Sequence, residues 1–114
     1  MRREEQVKLL KEIGAEYVLN SSDENFQEQL EKVVADVKPT ALLDPVGGDV
    51  ATKIFLAMPN GTYMYPYGVL SGQPYTISGA TLLFESKVLS NFWLGVWLGS
   101  LKPEEAQTVL GDII

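Results

Sequence analysis

The stretch Asp44-Pro45-Val46-Gly47-Gly48-Asp49 puts an acid, a proline and two glycines within six positions. It follows Thr40-Ala41-Leu42-Leu43, a run with buried-strand character. A helical pattern starts straight after it, with Asp49 placed to cap it. Glycine has no Cβ, so backbone or a ligand can approach closely at Gly47 and Gly48. In open α/β sheets, ligands bind outside the carboxyl ends of the strands. This turn is therefore the first candidate ligand site. Arg2 and Arg3 are a second candidate: they adjoin a helix start, and guanidinium forks match phosphate oxygens. A plainer reading also stands, in which the glycines serve ordinary turns and the arginines are two exposed bases.

Composition removes many chemistries. The 114 residues contain no Cys and no His, which excludes disulfides, thiol nucleophiles, most zinc sites and His-based triads within this sequence. No acidic pair has a spacing that points to a mechanism. The net charge of −6 argues against nucleic acid, because phosphate binding needs a basic face. Nine of the fifteen acids and five of the nine bases lie in residues 1–36, as solvated helix faces would place them. The most apolar stretch, Phe92 to Leu101, is too short to span a membrane as a helix. No signal peptide is visible, so a cytoplasmic protein or one of the mitochondrial matrix is expected.

The elements that must position the turn follow from periodicity. Residues 3–13 read as a helix with Val7, Leu10 and Ile13 on one face, and Gly14 stops it. Tyr17-Val18-Leu19-Asn20 reads as a short strand. Ser22 or Asp23 can cap a helix over about 24–37, striped by Phe26, Leu30, Val33, Val34 and Val37, and Pro39 ends it. A strand over 41–44 and a helix near 49–58 flank the turn. Thr62 to Tyr67 is aromatic and reads as a strand, with Pro66 near its end because proline cannot donate to a ladder. Gly68 to Gly72 is a loop. Residues 73–84 are ambiguous, extended first and a short helix from Ala80 to Phe84. Lys87 to Phe92 reads as a strand running into Trp93–Leu98, and Pro103 opens a last helix.

Strands alternating with helices argue for an α/β fold with a parallel sheet of about four strands and flanking helices. Such a sheet gathers three turns at one edge: Asp44–Asp49, Tyr67–Gly72 and Asn91–Leu94. Together they can form a shallow groove for a flat ring or a ribose. Trp93 and Trp97, four apart, read as a packing or interface pair rather than a stacking platform. The order has one oddity, a charged helix ahead of the first strand. The chain also has no G-x-G-x-x-G and no Walker-type loop to cradle a pyrophosphate.

Several segments, taken in order, resemble a known family. They are Arg2-Arg3-Glu4-Glu5-Gln6, Leu9 to Asn20, Asp44-Pro45-Val46-Gly47-Gly48, Tyr67 to Gly72, Leu82 to Lys87, and Asn91-Phe92-Trp93-Leu94. They look like the nucleotide-binding domain of zinc-independent medium-chain dehydrogenases/reductases, in the branches of NADPH quinone oxidoreductases and trans-2-enoyl thioester reductases. The resemblance covers nearly the whole chain. It implies an incomplete Rossmann fold lacking strands 1 and 2, so residues 1–114 would be a partial NAD(P)-binding domain that begins after strand 2.

The resemblance also assigns roles. Arg2 and Arg3 match basic residues that meet the 2′-phosphate of NADPH. Val46 and Gly47 match positions beside the cofactor. Tyr67, Gly68 and Val69 match a loop near the nicotinamide, and Phe92, Trp93 and Leu94 a segment whose backbone holds the carboxamide. Asn91 replaces a more usual glycine, and Pro66 interrupts strand 5. Lys87 to Phe92 matches the strand that joins two subunits, so a homodimer is expected. The implied function is part of an NADPH-dependent quinone or 2-enoyl thioester reductase, inactive by itself and binding NADPH weakly or not at all. The alternative is a non-catalytic dimerisation module. With strands 1 and 2 missing, Tyr17–Asn20 is expected to close up beside Ala41–Asp44, unless another chain fills the gap.

Overall fold

A computed structural model describes residues 3–113. Arg2 lies outside the described residues. The elements run α1 (Glu4–Glu12), α2 (Phe26–Val37), β1 (Ala41–Asp44), α3 (Gly48–Ala57), β2 (Tyr63–Pro66), α4 (Gly79–Phe84), β3 (Val88–Leu89), α5 (Leu94–Ser100) and α6 (Pro103–Ile113). The three strands form one parallel sheet in the order β1-β2-β3. Leu42 sits opposite Met64 and Asp44 opposite Pro66, while Tyr63 sits opposite Val88. The α/β class and the parallel sheet are as expected.

Local chemistry accounts for the ends of the helices. Glu4 and Glu5 occupy the first turn of α1 and Lys11 its last, each sign complementing the helix dipole. Lys38 ends α2 in the left-handed region at φ 51°, its amide bonded to Val34 O at 2.8 Å, and Pro39 prevents continuation. Neither Ser22 nor Asp23 caps α2. Asn25 holds the cap position, and its side-chain oxygen accepts from Gln29 instead.

Strand alternation divides the sheet into two faces. Leu42 and Met64 point towards α3, where Phe55, Met58 and Met64 form the core. Leu42, Ile54, Tyr75, Ile77 and Leu82 pack around that cluster. Leu43, Tyr63 and Tyr65 point the other way. Leu43 is 67% and Tyr63 42% exposed, and the Tyr63 and Tyr65 rings stack at 5.9 Å. That face of the sheet is open.

The structure corrects two expectations. Among the described residues Tyr17–Asn20 is not a strand and shares no sheet with Ala41–Asp44, so the sheet described has three strands rather than about four. Its side chains are tied to helices instead: Tyr17 Oη donates to Asp36 at 2.7 Å, and Asn20 Nδ2 to Glu4 at 3.4 Å. The carbonyls of Thr40 and Asp44 accept from β2 and the following loop, so by alternation the Ala41 and Leu43 peptides face outward, unpaired by any strand. The second correction is the strand Lys87–Phe92, of which only Val88–Leu89 pairs, and the residues after Trp93 form helix α5. Phe92 N finds the last acceptor on β2, Pro66 O, at 3.1 Å. Beyond it the backbone bonds locally, as in Trp97 N to Trp93 O at 3.0 Å.

Lys87 is the polar staple of the core. Its side chain is fully buried, and Nζ donates to Leu56 O at 3.0 Å and to Glu85 Oε1 at 2.9 Å. It thereby ties the end of α3 to the start of β3 over the Phe55 ring, 5.8 Å away. Two substitutions separate the apolar and polar contributions. Phe55→Ala is expected to cost about 3–5 kcal/mol through the cavity it leaves. Lys87→Met keeps the apolar stem but strips the Leu56 carbonyl of its donor, at a cost of about 1–3 kcal/mol. Urea midpoints at constant slope check both values.

Candidate functional site

The site is built around the carboxylate of Asp44, which is 6% exposed at the end of β1. Its Oδ1 accepts from Val46 N at 3.0 Å, and both oxygens accept from Gly47 N, at 3.2 and 3.0 Å. The Tyr75 phenol also donates to Oδ2. Partial burial first, and the Asp44 acceptor second, push the Tyr75 pKa above its ordinary value. Asp44 thus folds the turn onto itself. Asp49 does not cap α3: the helix starts at Gly48 with Gly47 in the cap position, and Asp49 lies in its first turn.

The turn and the loop after β2 are zipped together beyond the end of the sheet. Tyr67 N bonds Asp44 O at 2.9 Å, Leu70 N bonds Pro45 O at 3.2 Å, and Ser71 N bonds Val46 O at 2.9 Å. The segment after β3 joins the same edge through Phe92 N on Pro66 O. The turns at Asp44–Asp49, Tyr67–Gly72 and Asn91–Leu94 are therefore neighbours. Val46 and Gly47 line a groove of about 460 Å³ that runs along β1 and α3, with Gln6 and Ser21 also contributing to its lining.

The remaining predicted residues surround this edge. Tyr67, Val69, Phe92, Trp93 and Leu94 all expose apolar surface. Phe92, Trp93 and Trp97 line a second hollow of about 470 Å³, where Phe92 packs on Trp97 at 5.7 Å. Arg3 is exposed at the start of α1, and Gln6, one turn on, is the α1 residue that reaches the first groove. Sequence reasoning missed Ser71 and Gln73 as groove residues and Tyr75 as the partner of Asp44. A lone tyrosine in an extended segment carries no periodic signal that could have found it.

At the glycines it is this chain's own backbone and side chains that approach closely. At Gly47 and Gly48, φ is 84° and 79°, and a Cβ would meet this chain's own loop rather than open space. At Gly48 it would lie 3.2 Å from Gln73 Cβ and 3.3 Å from Ser71 Oγ. At Gly68 it would lie 2.6 Å from Pro45 O, closer than real contacts allow. Gly68→Ala is expected to destabilise the fold by about 2–3 kcal/mol through forced backbone shifts. Gly48→Ala is expected to cost about 1–3 kcal/mol from its left-handed backbone and the Gln73 contact. Gly99→Ala, in α5 with nothing within 4 Å, serves as the control and should be neutral or slightly stabilising. Denaturant midpoints of the three variants give the order, and a neutral Gly68→Ala would contradict the packing.

Comparison with known proteins now has a geometry to refer to. A family profile described as zinc-binding dehydrogenase matches residues 1–113. The mitochondrial enoyl-[acyl-carrier-protein] reductase of Rattus norvegicus is 31% identical over 102 residues, which are 89% of this chain and 27% of the relative. A solved protein assigned as an NADPH:quinone reductase from Mesorhizobium loti superposes with a TM-score of 0.86 at 36% identity, over 97% of this chain and 33% of that one. A mitochondrial 2-enoyl thioester reductase from Candida tropicalis, solved as a heterodimer, gives 0.77 at 28% identity, over 96% and 31%. The chain thus spans about a quarter to a third of the length of these relatives. The family's name invokes zinc, but this chain offers no ligand set for it. It has no Cys or His, and among the described residues no cluster of donors could hold a metal. The profile match over almost the whole length, together with a superposable parallel sheet, means that the chain belongs to the zinc-binding dehydrogenase family of medium-chain dehydrogenases/reductases.

Proposed function

We propose that residues 1–114 are part of the cofactor domain of an NADPH-dependent oxidoreductase, one that reduces a quinone or a 2-enoyl thioester. The observation that carries this reading is the meeting of three turns at the carboxyl edge of three parallel strands, where α/β sheets bind ligands. The names of the relatives point to the same chemistry: reduction of enoyl thioesters in one, of quinones with NADPH in another.

The residues at this edge suit the nicotinamide end of a dinucleotide. Val46 and Gly47 border the groove, and Tyr67, Gly68 and Val69 form the neighbouring loop. Phe92, Trp93 and Leu94 add exposed apolar surface for a flat ring. Bound NADPH would supply the hydride, while these residues orient the ring and keep water from it. Arg2 and Arg3 are assigned to the 2′-phosphate. The pyrophosphate has no glycine-rich loop in this sequence to grip it. The chain alone is therefore expected to bind NADPH weakly or not at all and to transfer no hydride.

Titration calorimetry with NADPH and NADH tests the reading. The expected result for the isolated chain is a dissociation constant of about a millimolar or weaker. Micromolar binding with preference for NADPH would mean that the remaining residues suffice without the phosphate loop. Micromolar binding without that preference would count against the role of the two arginines.

A second role, as a dimerisation element, is favoured by one feature. β3 is an edge strand with Val88 and Leu89 exposed, beside the apolar Phe92. Exposed apolar edges pair readily with a second strand. A homodimer through Lys87 to Phe92 predicts that Leu89→Glu converts a dimer into a monomer in sedimentation equilibrium. A wild-type chain that is monomeric at 100-fold dilution and at stock concentration alike would sink this role.

A further inference from the structure

We propose that Tyr75 is a positioning residue: its phenol, held on the Asp44 carboxylate, fastens the far end of the segment Tyr67–Tyr75 over the glycine turn and so fixes the shape of the groove. The functional side of this inference rests on the NADPH reading above; the mechanical side stands on the geometry alone.

The segment Tyr67–Tyr75 is a strap with two anchorages. At its start it is zipped to the turn by the amides of Tyr67, Leu70 and Ser71. At its end, the Tyr75 ring packs against the Phe55, Met58 and Met64 core while its hydroxyl reaches Asp44. The side chains of the strap are solvated, with Val69 and Leu70 79% and 82% exposed. Yet Ser71 and Gln73 lie against the positions where Gly47 and Gly48 would carry side chains, and both line the groove beside the turn.

Asp44 makes the two anchorages one system. It is buried, and among the described residues its bonds come from neutral donors only: two backbone amides of the turn and the Tyr75 phenol. Hydrogen bonds to an ionised acceptor are about twice as strong as neutral ones. A carboxylate that loses one of three donor groups in a buried place must be resolvated, and the water admitted competes with the turn amides for its oxygens. Removing the phenol therefore loosens the end of the strap and the turn together, although Val46, Gly47, Ser71 and Gln73 are untouched.

Amide hydrogen exchange on the full chain tests this, with Tyr75→Phe keeping the ring and its packing. The expected result is a rise of about tenfold or more in exchange at Val46, Gly47, Leu70 and Ser71, with less than a twofold change at Phe55 and Met64. Tyr17→Phe, which removes the comparable phenol–carboxylate bond to Asp36 on α2, should leave the strap amides unchanged. Unchanged exchange at the strap in Tyr75→Phe overturns the proposal. An equal rise throughout the chain also overturns it, because the phenol would then serve global stability only. NADPH titration of the same variants separates the two readings. A wild-type chain that takes NADPH should lose about tenfold in affinity on Tyr75→Phe. A wild-type chain that takes none is the outcome the cofactor reading expects without a phosphate loop, and the exchange result alone then decides the clamp.

Discussion

A buried carboxylate, met among the described residues by neutral donors only, organises the ligand edge of this domain. Asp44 ends β1, and its charge is met by the turn that follows and by a phenol 31 residues away. Burying a carboxylate is costly unless its oxygens accept hydrogen bonds. The turn has to curl so that Val46 and Gly47 present their amides, and such a curl places Gly47 and Gly48 at positive φ. Glycine is the residue that tolerates this conformation without steric cost. The same curl brings the loop after β2 so close that a side chain on Gly47 or Gly48 would crowd that loop, and one on Gly68 would collide with Pro45 of the turn. One electrostatic requirement thereby sets the shapes of two adjoining loops.

The sheet carries an imbalance that bears on function. Parallel sheets are ordinarily covered on both faces. Here one face packs on Phe55 and Met58, and the other leaves Leu43 and the stacked Tyr63 and Tyr65 at the surface. The outer edge of β1 presents the Ala41 and Leu43 peptides to a groove rather than to a strand. In relatives three to four times as long, the superposable part is only a quarter to a third of the molecule. The core on the α3 side is held by different means, with Lys87 buried between the end of α3 and β3. The two sides of the sheet can therefore be perturbed separately.

Much was legible from residue types and spacing. The 3.6-residue stripes of α1 and α2, the apolar run before Asp44 and the proline that opens α6 are local signals, decided by side chains close in the chain. The glycine turn was legible as a special place for the same reason: two adjacent glycines after an acid and a proline admit few alternatives. Family likeness added the nucleotide-binding frame, because the order of several weak segments is more specific than any one of them. Local signals failed at Tyr17–Asn20 and overran at Lys87–Phe92. Apolar β-type residues prefer extended backbone, but a strand exists only where a neighbour offers hydrogen bonds. Among the described residues the first segment belongs to no sheet. The second runs past the last acceptor on β2 and coils into α5.

The sequence by itself determined the α/β class, the parallel order of β1, β2 and β3, the position of the ligand-side turns and the absence of any thiol, imidazole or glycine-rich phosphate loop. These depend on composition and on neighbours within a few residues. Only the tertiary structure decided what the glycines are for and what holds the turn. Asp44 and Tyr75 are 31 positions apart, and Gly68 meets Pro45 across 23 residues of chain. No periodicity links such pairs. They meet because β1 and β2 lie side by side and stop at the same level, which carries the chain that follows β2 back across the end of β1.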